Sequence, residues 1–220
     1  YVKSEANRYL QKGKLVGLVG GDHSTPLGLI RALNDKYTDF GILQIDAHAD
    51  LRKAYEGFKY SHASIMYNAL YCNNVSKLVQ VGIRDFCEEE IDIIKNSNDR
   101  IVTFFDEEIK EAQYSGANWK SMCKTIVEQL PELVYISFDI DGLDPKYCPH
   151  TGTPVPGGLS FSEAVYLIKA VAGSGRKIIG FDLNEVAAGG DNEWDGNVGA
   201  RLLYNLCNWM GVSQKKIKVE

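Results

Sequence analysis

Three short clusters of carboxylate and imidazole side chains each follow an apolar, β-branched run in this chain of 220 residues. The clusters are Gly20-Gly21-Asp22-His23-Ser24, Asp46-Ala47-His48-Ala49-Asp50 and Ser137-Phe138-Asp139-Ile140-Asp141. The runs before them predict strands, and open α/β proteins place their chemistry at the carboxyl ends of such strands. Because alternate side chains of an extended segment share a face, six residues can converge on one site. They are His23, Asp46, His48, Asp50, Asp139 and Asp141.

These six side chains predict a site for two metal ions. Four carboxylates and two imidazoles without a thiolate form a hard ligand set, which suits Mn²⁺ or a similar divalent ion better than structural zinc. Four carboxylates in one pocket would raise one another's pKa values, whereas two divalent ions would balance their charge. Any single cluster could consist of turn and capping residues, as we expect of Asp22 and Ser24. That interpretation does not account for three clusters together.

The order of these and later motifs resembles the ureohydrolases, a family of arginases, agmatinases, formimidoylglutamases and guanidino-acid hydrolases. The motifs are GGDHS, DAHAD, SFDIDGLDP, TGTPVPGGL and FDLNEV, and the resemblance extends from about Leu15 to about Leu206. It implies a hydrolase with two manganese ions and a three-layer α/β/α fold around a mostly parallel sheet. It also divides the ligands between the ions: Asp46 and Asp139 as bridges, His23 with Asp50 on one ion, and His48 with Asp141 on the other.

Such a site can generate a nucleophile strong enough to attack a carbon that does not react with ordinary water. Two ions roughly 3.5 to 4 Å apart can share a water and lower its pKa, which provides hydroxide near neutral pH. Attack on a guanidinium carbon would give a tetrahedral intermediate that collapses to urea and an amine. The leaving amine needs a proton, and a histidine can shuttle protons near neutral pH. His62 lies twelve positions after Asp50, and the resemblance implies this role for it.

Two further residues are candidates for substrate binding. Glu185 follows a strand-like run, and a carboxylate held at a strand end can form a bidentate pair with a planar guanidinium. The resemblance implies this role for Glu185, with support from Thr153 in the Thr-Gly-Thr-Pro turn. Thr153 could also be an ordinary turn residue in a loop rich in Gly and Pro. Asp182 has a weaker claim to a role in the site.

The loop from Asp50 to Ala63 favours agmatine as the substrate. Its Asp-Leu-Arg, Tyr, Gly and Ser-His-Ala pattern resembles the corresponding loop of agmatinases. The resemblance implies that an arginase would carry a loop rich in Asn, Ser and Thr here, and an aspartate where this chain has Cys87. Both departures count against arginine, which we therefore place second.

Four cationic side chains on or near this loop argue for a substrate with an acidic tail as an alternative. They are Arg52, Lys53, Lys59 and Arg84. Cations at the far end of the pocket would favour a guanidino acid or formimidoylglutamate, although solvated surface charge is the commoner role of lysine. Two other classes also remain. The chain could be a catalytically inactive metal-binding homologue, or a metallophosphatase or nuclease, since these enzymes also use two metals.

Composition agrees with a cytoplasmic enzyme of one domain, residues 1–220. The chain is 45% hydrophobic, enough for a substantial core, and its net charge of -5 gives no electrostatic case for nucleic acid. No apolar run approaches the length of a membrane span, and five scattered cysteines suit a reducing compartment. The resemblance implies a homo-oligomer, either a trimer or a hexamer.

Six strand-like runs alternate with helical stretches, which predicts a parallel sheet covered on both faces. The runs lie near residues 14–19, 41–45, 78–81, 101–105, 133–138 and 177–183. The predicted helices begin near Pro26, Ser61, Glu88, Asn118, Ser162 and Asn197. The first motif arrives after only about twenty residues, whereas family members carry a longer leading region with a first strand. We therefore expect an N-terminal segment to be missing from this sequence.

Overall fold

Six parallel strands form the centre of the molecule, whose computed structural model describes residues 1–188 and 192–218. The strands are β1 (Val16–Val19), β2 (Phe40–Ile45), β3 (Val75–Ile83), β4 (Ile101–Phe105), β5 (Leu133–Asp139) and β6 (Lys177–Asn184). Their order across the sheet is β1-β6-β5-β2-β3-β4, and every pairing is parallel. The connections between them therefore cross over the faces of the sheet, which is where the helices lie.

Eight α-helices of the described residues cover this sheet. They are α1 (Val2–Leu10), α2 (Leu27–Lys36), α3 (Ile65–Ala69), α4 (Glu88–Lys95), α5 (Asp106–Tyr114), α6 (Trp119–Glu128), α7 (Phe161–Gly173) and α8 (Trp194–Ser213). Short 3₁₀ turns occupy His62–Ser64 and Ile140–Gly142. Within the two described ranges, none of these helices combines the length and the apolar character that crossing a bilayer requires.

Two hydrophobic cores lie on opposite faces of the sheet, so the predicted three-layer α/β/α architecture is confirmed. Leu43 and Ile45 pack into the core that contains α6, α7 and α8. Phe40 and Ile42, which alternate with them along β2, pack into the core that contains α1, α2 and α3. Every residue of β2 is buried, as expected of a parallel strand that is covered on both faces.

The predicted strands are confirmed, and the main differences concern helices. β3 begins at Val75, earlier than the apolar run near residue 78 indicates, and α8 begins at Trp194 and not near Asn197. The sequence analysis missed α1 and α5 because few of their side chains are apolar and buried. α5 buries only Asp106 and Ile109, which is too sparse a pattern to indicate an amphipathic helix.

Adjacent strand ends meet closely at the carboxyl edge of the sheet. In the register between β2 and β5, Ile45 lies beside Phe138, so Asp46 and Asp139 follow at the same level. A β-carbon on Gly142 would lie 2.7 Å from the backbone nitrogen of Asp46. Glycine is therefore required where the chain leaves β5 against the end of β2.

Candidate metal centre and substrate cavity

A buried imidazole nitrogen faces three carboxylates at this edge of the sheet. His23 Nδ1 lies 3.0 Å from Asp46 Oδ2, 3.0 Å from Asp50 Oδ2 and 3.3 Å from Asp139 Oδ2. None of these contacts has hydrogen-bond geometry, and Nδ1 has no hydrogen-bond partner although His23 is only 1% exposed. Buried polar atoms are almost always satisfied. A nitrogen and three oxygens that face one another without hydrogen bonds could together hold a cation.

A second set of ligand atoms lies beside the first and shares Asp46 with it. His48 Nδ1 lies 3.1 Å from Asp141 Oδ2 and 3.5 Å from Asp46 Oδ1. The ligand atoms of His23, Asp46 and Asp139 lie within 4.8 Å of one another, and those of Asp46, His48 and Asp141 do the same. Asp46 thus turns Oδ2 toward one set and Oδ1 toward the other.

When no cation is bound, the pKa values of several side chains in this site are raised, so that these side chains retain protons. Burial and the charge of Asp46 raise the pKa of Asp50 to about 8. Burial and the charges of Asp141 and Asp46 raise the pKa of Asp139 well above its ordinary value. Burial opposes a charge on His48, but the nearby carboxylates of Asp141 and Asp46 outweigh it and raise the pKa of His48 to about 11. The excess negative charge of the site therefore needs compensating positive charge.

A buried hydrogen-bond chain fixes the orientation of His23 from behind. Ser137 Oγ donates to Asp182 Oδ1 at 3.0 Å, so His23 Nε2–H donates to Ser137 Oγ at 2.9 Å. Asn184 Nδ2 donates to the same oxygen of Asp182. Burial opposes a charge on His23, but Asp46 and Asp50 raise its pKa well above the ordinary value when no cation is present. In the neutral ring that a cation would require, the proton on Nε2 leaves the lone pair of Nδ1 facing the carboxylates. The sequence analysis missed Ser137 and ranked Asp182 low, although both interrupt otherwise apolar strands.

A second chain of amide side chains supports Asp46 from the centre of the sheet. Gln44 Nε2 donates to Asp46 Oδ2 at 2.8 Å and to the carbonyl of His48 at 3.1 Å. Gln80 Nε2 donates to Gln44 Oε1 at 2.7 Å, and Thr103 Oγ1 donates to Gln80 Oε1 at 2.7 Å. Both glutamines are fully buried. The sequence analysis missed them, and their only signal was a polar residue within each of two apolar strands.

Two residues of the site have left-handed backbone conformations. Asp50 has φ of 54° and Glu185 has φ of 60°, a region that costs a residue other than glycine about 1–3 kcal/mol and that clusters at functional sites. The carbonyl of Asp50 accepts hydrogen bonds from the backbone of Met66 and Tyr67 at 3.1 and 3.2 Å. The backbone N–H of Glu185 donates to the Gly21 carbonyl at 2.9 Å. These bonds hold both side chains at the edge of the sheet.

Glu185 is hydrogen-bonded to the backbone of His23, one of the candidate metal ligands. Its Oε1 accepts the backbone N–H of His23 at 2.8 Å, and its carbonyl accepts Thr151 Oγ1 at 2.9 Å. Burial raises the pKa of the Glu185 carboxyl. A β-carbon on Gly152 would lie 4.0 Å from Oε2. Glu185 is thus anchored through Oε1, one of its two carboxylate oxygens.

A small cavity of about 120 Å³ adjoins the second ligand set and brings together several of the predicted residues. His48, Asp50, His62 and Thr153 line it, whereas Glu185 does not. Thr153 Oγ1 donates to Asp141 Oδ2 at 3.3 Å. The ring of His62 packs edge-on against Tyr55, 5.5 Å between centroids. The sequence analysis did not single out Tyr55 or Asp85, which also line the cavity.

Known proteins resemble both the sequence and the fold. A model of the Arginase family matches residues 1–208. The N(1)-aminopropylagmatine ureohydrolase of Thermus thermophilus is 34% identical over 211 residues, which cover 96% of this chain and 68% of that protein. The guanidinobutyrase of Pseudomonas aeruginosa is 31% identical over 225 residues, with coverages of 97% and 66%.

A solved structure agrees with these sequence relatives. The agmatine ureohydrolase of Thermoplasma volcanium superposes with a TM-score of 0.81 at 28% identity and covers 99% of this chain. The match covers 69% of the length of that structure. The chain therefore spans about two thirds of the length of the relatives that it matches.

Proposed function

Because the chain belongs to the arginase family, whose members hydrolyse linear amidine C–N bonds, we propose that it converts agmatine to putrescine and urea with two manganese ions. One observation carries this proposal. Asp46 belongs to two sets of ligand atoms, and the second of them opens on a cavity that His62 and Thr153 line. Two candidate ligand sets beside a small cavity with a histidine suit the hydrolysis of a guanidino carbon.

The residues of the site fit two hard divalent ions. The donors are carboxylate oxygens and imidazole nitrogens, and His23 Nδ1 is buried without a hydrogen-bond partner. His23, Asp46, Asp50 and Asp139 would hold one ion, and the ligands of the other would be Asp46, Asp139, His48 and Asp141. Bound ions would supply a water of lowered pKa as a nucleophile near neutral pH. Mn²⁺ suits this donor set.

Glu185 is the residue that would hold the guanidinium. A half-buried carboxylate such as Glu185 pairs well with a planar cation, because the surrounding protein screens the attraction less than water does. The His23 backbone N–H fixes Oε1, so the carboxylate is already oriented when the substrate arrives. Thr153 would help to orient the reacting end, since its hydroxyl lies between Asp141 and the cavity.

His62 would carry the proton that the leaving amine needs. In the balanced reaction, water adds to the guanidinium carbon, the bond to the alkyl nitrogen breaks, and both protons of that water pass to the alkyl nitrogen, so that urea leaves neutral and the amine leaves as an ammonium ion. His62 lines the cavity, and its ring is held in position by Tyr55. An imidazole in this position can accept a proton while the carbon is attacked and donate it when the amine leaves.

The test is release of urea and ammonia by the manganese-loaded protein with agmatine, arginine, guanidinobutyrate and formimidoylglutamate. We expect urea from agmatine at the highest kcat/KM. Urea mainly from arginine or guanidinobutyrate, or ammonia from formimidoylglutamate, would replace agmatine with that substrate. Two bound metals with no product from any of the four would favour the inactive homologue. Loading with Co²⁺ and Ni²⁺ in parallel tests the choice of manganese.

We also propose that the chain forms a cytoplasmic homo-oligomer, a trimer or a hexamer. The proposal rests on the family to which the chain belongs. Light scattering coupled to size exclusion would measure the mass of the assembly directly, and a monomer at micromolar concentration would contradict it.

A further inference from the structure

A buried carboxylate at the start of α8 is hydrogen-bonded to the loop between β5 and α7. Asp195 is fully buried, and both of its carboxylate oxygens have partners on His150. Oδ2 accepts the backbone N–H of His150 at 2.9 Å, and Oδ1 accepts Nδ1–H of the imidazole ring at 2.9 Å. Asp195 lies in the first turn of α8, where the helix dipole favours a negative charge. This pair therefore holds the loop to α8.

The residue that follows His150 binds the backbone of Glu185. Thr151 is 4% exposed, and its Oγ1 donates to the Glu185 carbonyl at 2.9 Å. The N–H of Glu185 donates to the Gly21 carbonyl at 2.9 Å. These two bonds hold a residue whose φ of 60° is unfavourable for any side chain. The bond from Thr151 depends on the position of the loop that Asp195 holds.

The same loop also carries Thr153, whose hydroxyl lines the cavity. Thr153 lies three positions after His150 and donates to Asp141 Oδ2 at 3.3 Å. Glu185 and Thr153, the two residues to which we assign substrate contacts, thus both depend on residues 150–153. A displacement of this short segment would move both of them away from the arrangement that a substrate needs.

Helix α8 also packs against the chain that leaves β6 and carries Glu185. A β-carbon on Gly199 would lie 2.8 Å from Val186 Cγ1, so the helix approaches the residue after Glu185 more closely than a larger residue would allow. Val198 and Leu202 anchor the same helix in the hydrophobic core. The helix therefore contacts both the loop and the chain beside Glu185, and Asp195 links it to the loop.

We infer that Asp195 is a positioning residue for substrate binding. It acts through residues 150–153 and holds Glu185 and Thr153 in the arrangement that binds a guanidino group. The inference rests on the proposed function, which assigns the substrate contacts to these two residues. A buried carboxylate bonded through both oxygens holds its partner in one orientation, because a bond left unmade there costs the desolvation of the buried groups.

The variants Asp195→Ala and Asp195→Asn test this inference with agmatine as the substrate. Asp195→Ala removes both acceptors. We expect KM to rise about tenfold, with a smaller change in kcat and an unchanged manganese content, because the guanidinium contact of Glu185 is impaired. The amide of Asp195→Asn can accept the His150 N–H and donate to Nδ1 of the other neutral tautomer. Asp195→Asn should therefore retain most of the affinity that Asp195→Ala loses.

Two further variants separate positioning from a general loss of stability. Asn118→Ala removes the cap of α6, where Asn118 Oδ1 accepts the Ser121 N–H at 2.9 Å. It should lower thermal stability but leave KM unchanged. Thr151→Val breaks the link to Glu185. In that background, Asp195→Ala should raise KM by a smaller factor than it does alone, because the two changes interrupt the same connection.

Three kinetic results would overturn the inference. A lower kcat with unchanged KM in Asp195→Ala, matched by Asn118→Ala, would mean that Asp195 contributes only to the stability of the fold. Unchanged kinetics in Asp195→Ala would mean that the loop keeps its position without the pair. An equal rise of KM in Asp195→Ala and Asp195→Asn would contradict positioning through these hydrogen bonds.

Hydrogen exchange followed by mass spectrometry requires no turnover. The N–H groups of His23 and Glu185 are hydrogen-bonded to Glu185 Oε1 and to the Gly21 carbonyl. Both should exchange faster in Asp195→Ala but not in Asn118→Ala. That result would support positioning of Glu185 by Asp195 even if no urea were released and the proposed function failed. Unchanged exchange at both groups would refute the inference.

Discussion

Gln44 and Asp46 lie two positions apart on the same face of β2 and its continuation, and the amide of Gln44 donates to Asp46 Oδ2 at 2.8 Å. This oxygen is the one that faces His23 Nδ1 at 3.0 Å. The fully buried amide therefore fixes the orientation of the carboxylate shared by both ligand sets. The orientation of the Gln44 amide is fixed in turn by a hydrogen bond from Gln80.

Replacing Gln44 with Leu should weaken metal binding more than it impairs folding. Outer partners of metal ligands typically contribute about 10- to 100-fold in metal affinity, and we expect a loss in this range for manganese. Competition with a fluorescent chelator would measure it. Thr103→Val removes the far end of the same hydrogen-bond chain and should cost much less. Equal losses in the two variants would contradict a direct role of Gln44.

Asp46 and Asp141 should differ in how many metal ions their loss removes. Asp46→Asn alters both ligand sets and should leave the purified protein without tightly bound manganese, whereas Asp141→Asn alters only the second set and should retain one ion per chain. Mass spectrometric metal analysis gives the stoichiometry. Asp35→Asn, at an exposed position paired with Lys3, serves as the control. Two ions in Asp46→Asn would refute its bridging role.

Metal binding should release protons, and more of them at about pH 7 than at about pH 9. In the metal-free protein the pKa of Asp50 is raised to about 8 and that of His48 to about 11. Both groups therefore carry protons at neutral pH, but Asp50 has largely lost its proton at the higher pH. Calorimetry in buffers of different ionisation enthalpy counts the released protons. A count that does not fall with rising pH would contradict the raised pKa of Asp50.

His62→Asn should lower kcat while metal content and substrate binding stay close to those of the unaltered protein. Loss of a positioned acid or base typically costs about 10²- to 10⁴-fold in rate. Added imidazole should restore part of the activity, because a free base can enter the space that the ring leaves. Tyr55→Phe, which keeps the aromatic contact with His62, is the matched control. Unchanged kcat in His62→Asn would exclude the proton-shuttle role.

Glu185→Gln should raise KM for agmatine about tenfold or more without loss of manganese. The amide oxygen can still accept the His23 backbone N–H, but the charge that pairs with a guanidinium is gone. Glu185→Leu removes the acceptor as well and should also reduce metal affinity through His23. If Glu185→Gln lost its metal, a guanidinium-binding role would be the wrong interpretation.

The strands and the six candidate ligands could be predicted from sequence because their signals are local. Asp46, His48 and Asp50 follow an apolar run and alternate, so one pattern gives both the strand end and the shared direction of the side chains. The same applies to Asp139 and Asp141 after β5. Parallel strand ends meet at one edge of the sheet, so no contact between distant residues had to be known in advance.

The supporting residues could not be predicted in this way. Gln44 and Gln80 form a pair only because β2 and β3 lie side by side, and Ser137 bonds to His23 across 114 positions of sequence. The left-handed backbone of Asp50 and Glu185 has no counterpart in residue type, since glycine is the usual occupant. The role of Arg84 could not be predicted for a related reason. The sequence shows its charge, but not the backbone carbonyls to which its guanidinium donates hydrogen bonds.

Glu185 and His23 would couple the two halves of the proposed site thermodynamically. One hydrogen bond joins the carboxylate proposed for the substrate to the backbone of a proposed metal ligand, so a shift of one is passed to the other. Linkage is reciprocal. If agmatine tightens the binding of manganese by some factor, manganese must tighten the binding of agmatine by the same factor, and titrations in both orders should give one value. At low metal concentration, the supply of substrate would then help to determine how much of the protein holds its ions.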